Sequence, residues 1–148
     1  MTFRPLIESE AAQLVPLGAS FFNEAKLPGV FHPERFTKGW EELLRTKVGA
    51  VMGAWKEDEL VGAAGFVIHQ EINTGDVVAG EMFFTMLPGH RGLGIRLFLE
   101  AEEMLQKTPA VRILMIHLEG SNAGTLSRFY TRRGYRPLER VYVKDIIA

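Results

Sequence analysis

The sequence predicts a mixed α/β domain: one sheet, antiparallel in its middle and parallel toward one side, with helices packed on it. Three stretches carry that prediction. Residues 81–106, EMFFTMLPGHRGLGIRLFLEAEEMLQ, read as a strand, a glycine turn and an amphipathic helix. Residues 48–70 contain two apolar runs separated by Lys56-Glu57-Asp58-Glu59, the pattern of a hairpin. Residues 111–118 are almost continuously apolar, which suits a strand buried on both faces. A helix lies between the strand that opens the first of these stretches and the strand of the third, so that pair should run parallel.

In chain order, residues 2–4 before Pro5 suit a short edge strand. Ser9 is expected to cap a helix running to about Asn23, with Leu14, Val15, Leu17, Phe21 and Phe22 as its apolar positions. Pro16 should kink that helix or split it in two. Leu27-Pro28-Gly29 is a turn, and Pro33 suits the first residue of a second helix through Phe36, Trp40, Leu43 and Leu44. Strands follow at 48–55, 60–70 and 77–87, with Asn73-Thr74-Gly75-Asp76 turning between the last two. Leu97, Phe98, Ala101, Met104 and Leu105 then recur at helical spacing, and Pro109 ends that helix near Lys107. Ser121 or Asn122 caps a last helix through Leu126, Phe129 and Tyr130, closed by Gly134. One or two terminal strands are expected at 136–146. The total is about six or seven strands and about four helices in a single domain, residues 1–148.

The composition is that of a globular protein: 148 residues, 47% hydrophobic, 24% charged and a net charge of −1. Near-neutral charge gives no reason to expect a nucleic-acid partner. Arg128, Arg132, Arg133, Arg136 and Arg140 make the last third locally basic, either as a solvated helix face or as a phosphate-facing patch. The absence of cysteine excludes disulfides, thiol nucleophiles and thiolate metal sites. The four histidines have no metal-ligand spacing, so no metal is expected. With no signal-like start and no membrane-length apolar run, a cytoplasmic protein without membrane contact is expected.

The loop His90-Arg91-Gly92-Leu93-Gly94 opens a helix, where unpaired N–H groups and the positive dipole end favour an anion. Glycines at 92 and 94 let a phosphate reach the backbone. They could equally serve tight packing alone. A Walker loop would need Gly-Lys-Ser or Gly-Lys-Thr here, and a dinucleotide fingerprint would need glycine at the position of Leu97; neither is present.

Arg91-x-x-Gly94-x-Arg96 instead resembles the acetyl-CoA loop of the GNAT N-acetyltransferases, Gln/Arg-x-x-Gly-x-Gly/Ala. Arg96 departs from it, since a small residue is usual there. A second segment, NAGTLSRFYTRRGY at 122–135, is similar to the GNAT pattern of Asn, an aromatic-Tyr pair, then Gly and an aromatic. Tyr130, Gly134 and Tyr135 fall at matching positions, whereas Asn122 lies one residue further from Tyr130 than is usual. The resemblance is specific between Glu81 and Tyr135, and the element order matches over most of the chain.

That resemblance implies a GNAT-like fold and an acetyl-CoA-dependent N-acetyltransferase acting on a small-molecule or peptide amine. It implies a diphosphate site at Arg91, Gly92, Leu93, Gly94, Ile95 and Arg96. It further implies a pantetheine site at the backbone of Thr85, Met86 and Leu87 with Asn122, and Tyr130 as an acid beside the CoA sulfur. Glu81 holds the strand position where some members carry a glutamate base; a raised pKa from burial beside Phe83, on the face expected to hold both, would suit it to that task. The plainer readings are a solvated strand-end Glu81 and a Tyr130 packed in the core. His69 or His117, acting through a water, would be the substitute base. In the family the 24–34 segment overhangs the acceptor, which here nominates Phe31 and His32. A homodimer is compatible with the family, and the acceptor is unspecified. A domain of the same fold that binds or senses acyl-CoA without turnover is the alternative function, and a purely structural domain a third.

Overall fold

The computed structural model describes residues 1–116 and 123–147. They belong to two compact units, residues 1–116 and 117–148.

The first unit contains one five-stranded sheet in the order β1-β2-β3-β4-β5: Thr2–Pro5, Gly49–Lys56, Glu59–Gln70, Val77–Met86 and Arg112–Leu114. The first four strands pair antiparallel and β4 pairs parallel with β5, the arrangement read from the hairpin turns and the intervening helix. Among the described residues five strands form, fewer than the six or seven expected. Residues 136–146 contribute none, and their alternating Val141 and Val143 lie exposed. An apolar alternation becomes a strand only where a ladder partner accepts its backbone groups. Of the strand expected at 111–118, Arg112–Leu114 forms among the described residues, and with Arg112 exposed and Ile113 and Leu114 half-buried it is not buried on both faces. His117 and Leu118 lie outside the described residues.

Pro16 splits the first helical stretch. A 3-10 segment, Glu8–Leu14, gives way to α1, Val15–Glu24, with Pro16 in its first turn, where a missing N–H costs nothing. Ser9 is not the cap. The cap position before Glu8 is Ile7, whose N–H donates to the Glu10 carboxylate at 3.0 Å, and Glu10 also pairs with Arg4. Pro33 begins α2, Pro33–Arg45, and α3 spans Gly94–Gln106. In the second unit α4, Ala123–Arg132, is followed by Gly134 at φ +90, the left-handed closure that glycine adopts without strain. Its expected caps, Ser121 and Asn122, lie outside the described residues.

The sheet has an apolar cluster on each face. Leu14, Leu17, Trp40, Val51, Trp55, Ala63 and Phe83 form the cluster under α1 and α2. Met52, Ala54, Val61, Phe66, Ala79, Met86, Leu97, Ala101 and Leu105 form the one under α3. Phe66 is fully buried there, a contribution of about 1.5–3 kcal/mol for a side chain of this size. The two clusters fix β4 from both sides, and β4 carries the site.

Candidate active site

The last strand of the antiparallel run keeps one edge open. β3 accompanies β4 along nearly its whole length, Gln70↔Val77 through Gly62↔Met86. β5 pairs with it only at Val78, Ala79 and Gly80. Beyond Gly80, among the described residues, no strand lies on the β5 side. The Leu87 N–H bonds the Val61 carbonyl at 2.8 Å, which makes 61/87 a bonded pair. By the alternation of an antiparallel ladder, Thr85 also turns its peptide groups to β3, while Phe84 and Met86 turn theirs to the open edge. Of the three residues expected to offer backbone groups there, only Met86 is free to do so. Phe84, not singled out from the sequence, joins it.

A bulge decides where Glu81 points. β3 pairs Phe66 with Glu81 and Gly65 with Phe83, so Met82 is an extra residue on β4. Phe66 and Gly65 are neighbours on β3 and face opposite sides of the sheet. Glu81 and Phe83 therefore do not share a face, contrary to simple alternation: Phe83 joins the cluster under α1 and α2, and Glu81 lies on the side of Phe66. No sequence signal marks this bulge, although the exposure of Met82 is its consequence.

Glu81 is buried, 6% exposed, rather than solvated at a strand end. Its Oε1 accepts the Ile116 N–H at 3.1 Å, just past the point where β4 and β5 part. Burial raises its pKa to about 7, and the Ile116 N–H, which favours the anion, moderates the rise. The expected raised pKa is present, but its source is general burial at the strand split and not the Phe83 ring. A carboxylate so poised exchanges a proton near neutrality. His69, the alternative proton acceptor, is exposed, with Nδ1 3.4 Å from the Gln70 carbonyl; His117 lies outside the described residues.

The loop after β4 turns at Gly89, φ +90, and enters a 3-10 turn, Arg91–Leu93, before α3. Two of its amides are engaged locally: Leu93 N–H bonds the His90 carbonyl at 3.0 Å, and Gly94 N–H bonds the Arg91 carbonyl. Arg91 and Gly92 open the 3-10 turn, so no earlier helical carbonyl precedes their N–H groups, and Ile95 and Arg96 follow in the first turn of α3. A Cβ on Gly92 would meet nothing within 4 Å, and one on Gly94 only the Met86 Cγ at 4.0 Å. The backbone here is thus bare on its outer side. Leading amides, a helix start and uncluttered glycines are the features a diphosphate requires, and the loop fits that group.

The two arginines are committed differently. Arg91 Nη2 lies 2.5 Å from Glu24 Oε1, an ion pair that holds the Glu24 carboxyl below its usual pKa range. Arg96 stacks over the Phe3 ring, 4.9 Å from its centroid, and reaches Glu100 at 3.4 Å along α3. Its departure from the family's small residue is accommodated by that path. A cavity of about 700 Å³ adjoins Leu87 and His90 on the side of the β2–β3 turn, and neither Gly92 nor Gly94 lines it.

In the 24–34 segment, Phe31 packs against Phe22 and Phe36, with ring centroids 6.0 and 5.1 Å away, and Phe36 continues to Phe83 at 6.3 Å. His32 is exposed at the start of α2, with no side-chain capping bond. In the second unit, Tyr130 is half-buried, its ring 5.5 Å from Tyr135 and 6.1 Å from Phe129. Asn122 lies outside the described residues. Among the described residues no group of three His, Asp or Glu side chains could hold a metal ion, and no helix is long and apolar enough to cross a membrane.

Comparison with known proteins adds a family. The acetyltransferase (GNAT) family model matches residues 19–135. No curated protein matches the chain by sequence. Among solved structures, a ribosomal-protein-alanine N-acetyltransferase from Brucella melitensis biovar Abortus 2308 superposes with a TM-score of 0.69 at 19% identity, covering 99% of this chain and 100% of its own. A predicted acetyltransferase from Clostridium acetobutylicum, solved with acetyl-CoA, gives 0.76 at 12% identity, covering 98% of this chain and 96% of its own. An aminoglycoside 6'-N-acetyltransferase from Acinetobacter haemolyticus gives 0.71 at 16% identity, covering 100% of both chains. These identities speak for a common fold. The family match runs from α1 through β4, the glycine loop and α4 to Tyr135, and on that span the chain belongs to the GNAT acetyltransferase family.

Proposed function

We propose that this acyltransferase is an acetyl-CoA-dependent N-acetyltransferase whose acceptor is a primary amine. The observation that carries the reading is the open edge of β4 beyond Gly80, which runs directly into a loop with bare glycines and leading amides. An extended ligand can add to such an edge as a strand would, with its anionic end at the helix start. Acetyl-CoA supplies an acetyl group activated as a thioester. The amides of Arg91, Gly92, Ile95 and Arg96, on a turn shaped by Leu93 and Gly94, hold the diphosphate. Phe84 and Met86 orient the pantetheine arm through their peptide groups, and Asn122 assists.

Glu81 accepts a proton from the incoming ammonium or amine. Support for that role comes from its burial and a pKa of about 7. Tyr130, assigned through the 122–135 segment, donates its phenolic proton to the departing sulfur. The amine attacks directly, since a chain without cysteine has no thiol for an acyl-enzyme. Phe31 and His32 are assigned to the acceptor approach. The fold relatives named for an aminoglycoside and for a ribosomal-protein alanine support an amine acceptor as a class. A cytoplasmic location and a homodimer go with this reading.

The test is calorimetry with acetyl-CoA, followed by a CoA-release assay over a panel of amines. Binding with release on at least one amine supports the enzyme. Binding without release on any amine, unaffected by Tyr130→Phe, identifies a sensing module instead.

A further inference from the structure

Glu24 is the last residue of α1, and nothing in the helix itself accounts for an acid there. A carboxylate at a helix C-terminus opposes the macrodipole, and the last turn of α1 has no basic residue to offset it. Its partner comes from 67 residues away: Arg91 Nη2, at 2.5 Å. Ser20 Oγ, one turn earlier, donates to the same Oε1 at 3.3 Å and holds the carboxylate in place. Both members of the pair are about half exposed, 52% and 49%, so the pair adds little to folding stability. Its effect is on orientation. The contact engages Nη2, and a guanidinium carries five N–H donors in a rigid fork, leaving others to point elsewhere.

We infer that Glu24 is a positioning residue for the cofactor loop: its carboxylate fixes the Arg91 guanidinium at the loop entrance, ready to add its remaining donors to an anion bound by the loop amides. This role rests on the acetyl-CoA reading above. The opposite effect is also chemically defined, because a nearby carboxylate repels a diphosphate. The sign of the Glu24 effect therefore decides the matter.

The experiment is a calorimetric titration of CoA into the parent protein and into Glu24→Ala, Glu24→Gln, Glu24→Asp, Arg91→Ala and the Glu24→Ala/Arg91→Ala double variant. Glu24→Ala and Glu24→Gln should each weaken CoA binding by about threefold, the scale of an exposed charge pair. Glu24→Asp should recover part of the loss, and in the Arg91→Ala background Glu24→Ala should add no further loss. A purely structural Glu24 would instead show the same loss with or without Arg91. That result, or unchanged or tighter binding in Glu24→Gln, overturns the inference. If the parent itself does not bind CoA, the acetyl-CoA reading falls and this one with it; if the parent binds and the Glu24 variants match it, only this one falls.

Discussion

Glu81 and Ile116 meet where two parallel strands part: the Ile116 N–H donates to Glu81 Oε1 at 3.1 Å, immediately past the final β4–β5 pair, Gly80↔Leu114. The carboxylate takes the place of the next strand bond and is buried in doing so. Structure and chemistry are thus joined in one side chain, which both caps the strand split and titrates near neutrality.

The first prediction concerns pH. Folding raises the Glu81 pKa from 4.5 to about 7, so between those values the folded state binds more protons than the unfolded one. Stability from this group is full below about pH 4.5 and is lost as pH rises toward 7, a change on the order of 3 kcal/mol. Urea denaturation should find Glu81→Gln more stable than the parent at pH 8 and nearly equal to it at pH 4. Equal stability at pH 8 would mean that Glu81 is solvated. In turnover, kcat/KM should rise through about pH 7 in the parent and lose that rise in Glu81→Gln.

A second prediction separates folding from binding at the loop. Among the described residues, nothing beyond its own stretch of chain lies within 4 Å of a Cβ added at Gly92, so Gly92→Ala should leave the thermal midpoint unchanged. An anion seated on the backbone would meet that methyl group, and CoA affinity should fall by about tenfold or more. A Gly92→Ala protein that binds CoA like the parent would place the diphosphate elsewhere.

Gly65 tests the packing behind the bulge. A Cβ there would lie 2.4 Å from Phe83 Cε1 and 2.9 Å from Trp40 Cη2, both in well-packed rings. Gly65→Ala should destabilise the fold by about 1–3 kcal/mol in urea titration, as overpacking does. A neutral result would show that the rings give way freely.

Tyr130→Phe removes one hydroxyl and keeps the ring contacts with Phe129 and Tyr135. If the phenol is the acid, kcat should fall by about 100-fold, within the span for general acid catalysis, with acetyl-CoA affinity retained. Unchanged kcat would remove Tyr130 from the chemistry.

Much of the fold could be read from local signals that act alone. Pro16 and Pro33 set helix starts through a missing N–H, Gly134 closes α4 at positive φ, and Leu97, Phe98, Ala101 and Leu105 form the buried stripe of α3. What depends on partners distant in sequence could not be read. Met82 became a bulge through pairing with β3, which reversed the faces of Glu81 and Phe83. The 136–146 segment has strand-like alternation but no ladder. Within the site, Glu81 and the glycine loop were visible as residues, whereas the Arg91–Glu24 pair and the outward peptides of Phe84 and Met86 arise only from tertiary contacts. The acid at the C-terminal end of α1, set against its dipole, was the one available hint of Glu24.

Amide hydrogen exchange measured with and without CoA tests the central claim most directly. The N–H groups of Phe84, Met86, Arg91 and Gly92 should gain protection when CoA is added, while Leu87, already bonded to Val61, changes little. Saturating CoA with no added protection at these four amides would contradict the account.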